Sequence, residues 1–579
     1  MSIQTKRWEV LPKAPEAHFD KFRDLPRLVV QILYNRGIFE EAAVYKFIQR
    51  TYATQDPFQM QGIIPAVERI LKAIDERERI IVYGDYDADG VTATALLVQA
   101  LQAFDANVLP YIPDRFEEGY GLNKEAIQEL AEQQASLIIT VDCGIRSIDE
   151  VRYGQDLGLH FIITDHHQIA QNSAGQDQLP PALAVINPKR ADCCFPFKEF
   201  AGVGLAFKLV QALIQAWTTR HGQPPALRES DLLDLVSLGT VADMAPLVDE
   251  NRILVRAGLE VLNQPCRPGV AALINQSRSA SSKVTAGTIG FILGPRLNAA
   301  GRLTHARLAY KLLTTSNPIE AQALARELDE VNAERQTMTQ DYVNQARDQI
   351  LSKKADSFLH LVVDPDFNQG VVGLVASRLT DELYRPVLVA QQGEQFTKGS
   401  GRSIPEFDIT RALDQCADLL VKYGGHAAAA GFTVDNTNLA QFEARLAEIA
   451  NQALLDKELQ KTLIVDAEIN LRGVKPELVD QIENLQPFGY SNPTPKFTTR
   501  DLLIKYQTTV GRDGNHLKMK LFDGKSTWDA IGFGLGPLAS QPAHKPGCKI
   551  AAVYTIEYNT WNGTKTLQLN LRDIRPSDA

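Results

Sequence analysis

The chain has 579 residues, 44% of them hydrophobic and 22% charged, which suits about three or four globular domains at roughly 150 residues each and excludes both bulk disorder and a small stapled module. With 60 basic residues against 70 acidic ones the net charge is −10, which disfavours a histone-like or polybasic partner-binding protein acting through whole-molecule charge but leaves locally basic grooves open. Six cysteines, with Cys193 and Cys194 adjacent and no CxxC pair, argue against a disulfide framework and a structural zinc site. The opening MSIQTKRWEVLPKAP has no apolar signal core, and no stretch approaches the ~18 apolar residues needed to cross a bilayer. A soluble, cytoplasmic protein without membrane contact is expected.

Residues 1–75 read as a mixed, mainly helical lead. From Arg79 the text alternates: RIIVYG (Arg79–Gly84) leads into the helical VTATALLVQALQAF (Val91–Phe104), and LIITVDCG, FIITDHH and ALAVINP follow. That rhythm predicts a parallel sheet with crossover helices over 76–275. LIITV and FIIT are apolar on successive residues, as central strands covered on both faces are. Within a helical connector at 276–354, Asn317-Pro318 gives a start signal and neither Gly nor Pro interrupts the run from there to Lys354. One long helix is predicted, able to join two lobes. A second α/β unit at 355–455 contains FLHLVVD, GVVGLVASRLTDELY and RPVLVA as strand, helix and strand. Over 460–579, HLKMKLF, CKIAAVYTIEY and TLQLNLRDI alternate apolar with polar residues, and Asn562-Gly563 marks a hairpin turn, which predicts a small antiparallel barrel resembling an OB fold. Its Tyr506, Phe522, Trp528, Tyr554, Tyr558 and Trp561 suit either stacking on unpaired bases or filling a β core.

Acids and histidines gather where strands end. Asp85, Asp87 and Asp89 follow the strand ending at Tyr83, Asp142 follows LIITV, and Asp165-His166-His167 follows FIIT. Ligands of open parallel sheets bind at that edge, so these groups should meet in one crevice. Asp243, in GTVADMAP, follows another apolar segment and closes the set. Crowded carboxylates repel each other unless cations lie among them. Carboxylate and imidazole without thiolate suit Mn²⁺ or Mg²⁺, and the number of ligands suits two ions. A lone DxDxD is also a loop acid cluster or calcium-like turn, and a lone His-His pair also a surface or core feature; three such groups after three buried strands favour the metal reading. Cys143, as a rival nucleophile, lacks an evident His-Asn partnership.

GDYDADG, VDCG, DHH and Asp243 resemble the successive signatures of the DHH phosphoesterase superfamily. YIPDRFEEGYGLN (Tyr111–Asn123), GPRLNAAGRL (Gly294–Leu303), GSGRS (Gly399–Ser403), GGHAAAAGF (Gly424–Phe432) and LQPFGYSNPTP (Leu485–Pro495) extend the likeness over about residues 80–500, toward the branch that degrades single-stranded DNA. The resemblance implies a parallel-sheet DHH lobe joined by the long helix to a DHH-associated α/β lobe, then the β-barrel. It implies that Asp87 and Asp142 hold one ion and Asp89, Asp142, His166 and Asp243 the other, with His167 orienting water or phosphate; Asp89, Asp142 and His167 form the catalytic set. Related pyrophosphatases carry a histidine where this chain has Tyr83, so the first ion is expected to be held more weakly, with help from Asp85.

For the substrate, the resemblance implies contacts from both lobes. GSGRS is expected to be a mobile glycine turn whose Gly401, Arg402 and Ser403 cradle the 5′ phosphate, with His426 as a further phosphate contact. Arg115 and Tyr120 would hold the strand by charge and stacking. Asn298 and Arg302, with Asn332, Arg335 and Gln336 on one face of the long helix and Arg378 beyond, would line the DNA path. The implied activity is a 5′→3′ exonuclease that releases 5′ mononucleotides from single-stranded DNA in repair and recombination. It would act as a monomer, with a single-strand-binding protein and a helicase as further partners. A superfamily hydrolase for short oligonucleotides or small nucleotides is the alternative, against which stand the added β domain and lead. A non-catalytic replication scaffold is another, against which stand the intact metal positions.

Overall fold

The computed structural model describes residues 6–49, 51–277, 283–353, 357–561 and 564–577. It divides into two compact units, residues 51–455 with 487–492 and residues 1–50 with 456–486 and 493–579. In the first, five strands form a parallel sheet: β1 (Ile80–Gly84), β2 (Val108–Tyr111), β3 (Leu137–Val141), β4 (His160–Thr164) and β5 (Ala184–Ile186), in the order β2-β1-β3-β4-β5. β1 and β3 are buried at every residue, as strands covered on both faces must be. Beside the sheet pack α1 (Ala88–Ala103), α2 (Gly202–His221) and α3 (Leu233–Ala242), which share a core containing Leu96, Leu97, Leu205 and Leu238.

α2 carries a charge into that core. The Lys208 ammonium, without solvent contact, stands 2.7 Å from the Glu250 carboxylate and donates to the Gln55 carbonyl at 2.8 Å.

The long helix α4 (Pro318–Ser352) has 35 residues, or about 52 Å of axis. Asn317 caps it, its side chain accepting from the N–H groups of Ile319 and Glu320. Its early turns pack on helices of the first lobe; its last turns bury Val343, Ala346 and Ile350 against Phe367 and Val375 of the second. There β6 (His360–Asp364), β7 (Val387–Gln392), β8 (Phe396–Arg402), β9 (Leu420–His426) and β10 (Ala429–Asp435) form a mixed sheet in the order β9-β10-β8-β7-β6, with β6 and β7 parallel.

In the smaller unit, β11 (Phe497–Val510), β12 (His516–Phe522), β13 (Thr527–Gly532), β14 (Lys549–Trp561) and β15 (Thr564–Pro576) run β11-β12-β13-β15-β14, and pairing of β11 with β14 closes the barrel. The expected Asn562-Gly563 turn and the Trp561 side chain lie outside the described residues. Tyr554 is core, fully buried with its hydroxyl 2.6 Å from that of Thr499. Tyr558 donates to Asp480 at 2.7 Å and Trp528 to Asp523 at 3.3 Å, Phe522 lies half-buried beneath Lys505, and Tyr506 is exposed. The lead is mixed, with short helices such as Arg27–Asn35 and Glu41–Ile48. It opens with a strand, Arg7–Val10, paired in parallel with Thr462–Val465, and Trp8 donates to Asp573 at 2.7 Å. The helix Ile63–Asp75 belongs instead to the larger unit.

Removing the Lys208 ammonium strands a buried carboxylate. Lys208→Ala is expected to destabilise the protein by about 3–5 kcal/mol, measured by chemical denaturation, and Lys208→Met combined with Glu250→Leu should recover much of that loss.

Candidate metal centre and anion cleft

The register of the first sheet builds the site. Gly84, Val141, Thr164 and Ile186 stand opposite one another on adjacent strands, so the next residue of each strand, Asp85, Asp142, Asp165 and Asn187, leaves the sheet along one edge. Asp87 caps α1, its Oδ1 accepting from the N–H groups of Asp89 at 2.9 Å and Gly90 at 3.1 Å. Asp142 turns with φ +63°, a conformation that Asp tolerates better than most residues. Asp243 arrives from the end of α3, not from a strand.

These side chains converge. Ligand atoms of Asp85, Asp87 and Asp142 lie within 4.8 Å of one another, as do those of Asp89, His166 and Asp243 and those of Asp142, His166 and His167. His166 Nε2 is 3.0 Å from Asp142 Oδ1, 3.9 Å from Asp243 Oδ2 and 4.0 Å from Asp89 Oδ2.

The cluster is electrostatically unsatisfied. Burial, then the neighbouring carboxylates, push Asp89 up to about 7 and Asp243 up to about 9, and raise Asp85 and Asp142 well above the carboxylate range. Burial, then the charge of His167, pushes His166 down to about 3. Asp85 Oδ1, Asp142 Oδ1 and His166 Nε2 are buried with no hydrogen-bond partner; Asp142 and His166 approach without hydrogen-bond geometry. Buried lone pairs of this kind fit divalent cations with oxygen and imidazole ligands.

The scaffold leaves room only for the carboxylates. A Cβ on Gly202 would stand 2.5 Å from Asp142 Cβ, and one on Gly239 2.8 Å from Asp89 Oδ1. The N-terminus of α2 also grips Asp89, Gly202 and Val203 N–H donating at 2.6 and 2.9 Å, where the helix dipole favours negative charge.

Sequence reasoning missed these two glycines and the supporting acid Glu118, and it placed Asp165 in the crevice without a role. Asp165 is no ligand: Oδ2 accepts from Ile145 N–H at 2.9 Å, and Oδ1 from His167 N–H at 3.0 Å and Nδ1 at 2.7 Å. Burial raises its pKa, but the His167 hydrogen bond and charge outweigh that and hold it low. Glu118 ties down the loop that carries Arg115 and Tyr120, accepting from Tyr111 Oη and Asp114 N–H at 2.7 Å and Asn123 Nδ2 at 3.0 Å. Tyr120 Oη in turn lies 3.2 Å from His167 Nδ1 and donates to the Asp142 carbonyl at 3.3 Å. Tyr83 is turned into the core, its hydroxyl donating to the Gly121 carbonyl at 3.0 Å, so Asp85 accompanies Asp87 and Asp142. Cys143 is buried and burial raises its thiol pKa, which removes it as a nucleophile.

Beside the carboxylates stand arginines from both lobes. Burial pushes Arg302 down to about 10, with Arg115, Arg335 and Arg402 adding repulsion and Asp87 attraction. Arg302 donates to the Gly370 carbonyl of the second lobe at 3.1 Å. Arg115 lies 4.9 Å over the Tyr86 ring. Arg378 is exposed, donates to Gln340 at 3.0 Å and lies within charge range of Arg335.

The other expected substrate contacts hold protein groups in place or face solvent. Asn298 Oδ1 accepts from Ala88 N–H at 2.8 Å and fixes the start of α1. Asn332 is buried and accepts from Arg335 at 2.9 Å, while Gln336 faces solvent. GSGRS is not a mobile glycine turn. It ends β8, paired to β7 on one side and β10 on the other, which commits its backbone to the ladders. Gly401 is required there because a Cβ would meet Ile409 Cδ1 at 2.3 Å. The Ser403 hydroxyl donates to the Phe407 carbonyl at 2.6 Å. Arg402, bonded to Ser400 Oγ at 2.6 Å, and the exposed His426 keep the side chains suited to an anion.

The chain matches the DHH family N-terminal domain over 79–240, the DHHA1 domain over 355–454 and the RecJ OB domain over 465–573. The single-stranded-DNA-specific exonuclease RecJ of Bacillus subtilis is 38% identical over 100% of this chain and 72% of its own length. The crystal structure of RecJ in complex with Mn²⁺ from Thermus thermophilus aligns at a TM-score of 0.83 and 30% identity, over 99% of this chain and 80% of that one. Its Mg²⁺ counterpart aligns at 0.78 and 28%, over 99% and 79%.

Gly202→Ala is expected to weaken Mn²⁺ binding by about tenfold or more, since it displaces the carboxylate common to two of the three ligand groups; titration calorimetry measures this.

Proposed function

The chain belongs to the RecJ family of single-stranded-DNA-specific exonucleases, and from that premise we propose that it hydrolyses single-stranded DNA from the 5′ end, releasing 5′ mononucleotides. The observation that carries the reading is the meeting of a buried carboxylate–imidazole cluster with arginines from two lobes. Acids alone would repel a phosphodiester. Cations alone would bind it without cleaving it.

Asp85, Asp87 and Asp142 would hold one divalent cation, and Asp89, His166 and Asp243 the other, with Asp142 between them beside His166. Bound Mn²⁺ or Mg²⁺ supplies positive charge to the scissile phosphate and lowers the pKa of water at the site. Asp165 accepts a hydrogen bond from His167 Nδ1, which leaves Nε2 to accept from water when the ring is neutral and to donate to phosphate when it is protonated. Arg115 and Arg302 bind the backbone near the cut, Arg335, Gln336 and Arg378 the strand along α4, and Arg402 with His426 the terminal phosphate. Tyr120 offers a stacking face to a base. A site at a fixed distance from a terminal-phosphate contact would remove nucleotides one at a time, and a passage admitting one strand would reject the wider duplex.

The reading carries with it service in DNA repair and recombination, by a cytoplasmic monomer fed unpaired strands by a helicase or single-strand-binding protein. Among the described residues no helix is long and apolar enough to cross a membrane. The full-length family match and the barrel disfavour a hydrolase confined to short oligonucleotides.

End-labelled single- and double-stranded DNA, offered with Mn²⁺ or Mg²⁺ before and after chelation, tests the proposal. Release of mononucleotides from the unpaired 5′ end, lost on chelation, is expected; preference for duplex or for two- to four-mers would contradict it. Asp142→Ala should remove activity almost wholly. Arg402→Ala should weaken apparent affinity for a 5′-phosphorylated strand about ten- to a hundredfold, the worth of one charge-assisted contact.

A further inference from the structure

We propose that Lys189 is a catalytic residue whose ammonium contacts the non-bridging oxygens of the phosphodiester being cleaved, on the side of the centre formed by Asp89, His166 and Asp243. The inference rests on the hydrolytic reading above and adds a group to it.

Lys189 reaches the site by the same register as the acids. β5 ends at Ile186, opposite Thr164 of β4, and the turn that follows, Asn187-Pro188-Lys189, leaves the sheet along the metal-centre edge. That turn is bolted to the DHH segment. Asp165 N–H donates to the Ile186 carbonyl at 3.1 Å, Asn187 Nδ2 donates to the His167 carbonyl at 3.0 Å, and Asn187 Oδ1 accepts Lys189 N–H at 2.9 Å. The lysine therefore moves with His166 and His167.

Its side chain is held in but not used up. It is 17% exposed, and its ion pair, with the half-exposed Glu199, is long at 3.7 Å. Among the described residues no hydrogen bond from its Nζ completes that pair. The next residue is fully occupied, Arg190 donating to the Val185 carbonyl at 2.6 Å and to both oxygens of Asp192 at 2.8 and 2.6 Å.

The charge of Lys189 is felt at Asp243 and His166, whereas Arg115 acts on Asp85 and Arg302 is drawn to Asp87. An ammonium beside a divalent-cation site opposes metal binding by simple repulsion, so its charge favours the site only once an anion is present. Hydrolysis breaks the P–O3′ bond, forms a P–OH bond from water and leaves a water proton on the departing 3′ oxygen. Negative charge on the phosphoryl oxygens shifts during that exchange, and a fixed ammonium stabilises it without giving up its own proton.

The test compares wild type with Lys189→Ala, Lys189→Gln and Lys189→Arg, by steady-state kinetics on 5′-phosphorylated single-stranded DNA and by calorimetric titration with Mn²⁺ alone. The two neutral variants are expected to lose about ten- to a hundredfold in kcat with little change in KM. Mn²⁺ affinity should be equal to wild type or tighter, and arginine should restore part of the rate. Unchanged kcat in the alanine and glutamine variants, or a kcat loss that tracks weakened Mn²⁺ binding, overturns the assignment while the nuclease reading stands. A wild-type protein that releases no nucleotide overturns both.

Discussion

Repulsion among carboxylates that the fold forces together governs this molecule. Asp85, Asp89 and Asp142 are each 5% exposed or less and have Asp87 and Asp243 for neighbours. In a poorly solvated crevice such charges interact far more strongly than in water. Protonation relieves the repulsion by discharging the acids; divalent cations relieve it while every ligand stays charged. The unpartnered oxygens of Asp85 and Asp142 and the unpartnered nitrogen of His166 are the structural mark of the second solution.

The surrounding architecture serves to impose that crowding. In-register parallel strands release Asp85, Asp142, Asp165 and Asn187 along one edge, the N-terminus of α2 grips Asp89, and Gly202 and Gly239 let helices close onto the acids. α4 then carries a second lobe, through which Arg402 joins the field of Arg302 and Asp87. Cation-demanding and anion-demanding groups are thereby placed side by side, which is the condition for bringing a metal ion and a phosphodiester together.

Much of this was legible in the sequence because it follows from local rules. Continuous apolar runs marked β1, β3 and β4, Asn317-Pro318 marked the start of α4, and acids directly after strands marked the crevice. What escaped depends on tertiary neighbours. β2 is a four-residue edge strand with Pro110 inside it, a residue that weakens a strand reading and is tolerated at an edge. GSGRS has the composition of a turn, yet its glycines are there to admit Phe432 and Ile409 within a sheet. The strand Arg7–Val10 pairs with residues more than 450 positions away, beyond any local pattern. Glu118 and Asp165 act only through the groups they hold, and no spacing rule separates such acids from solvated ones. Asn298 and Asn332 carry a legible polarity but hold protein groups in place.

The most direct test is anomalous diffraction at the manganese edge from crystals grown with Mn²⁺. The account predicts two peaks about 3.5–4 Å apart, one against Asp85, Asp87 and Asp142 and the other against Asp89, His166 and Asp243. Manganese bound only elsewhere on the protein, with no density among these residues, would contradict it.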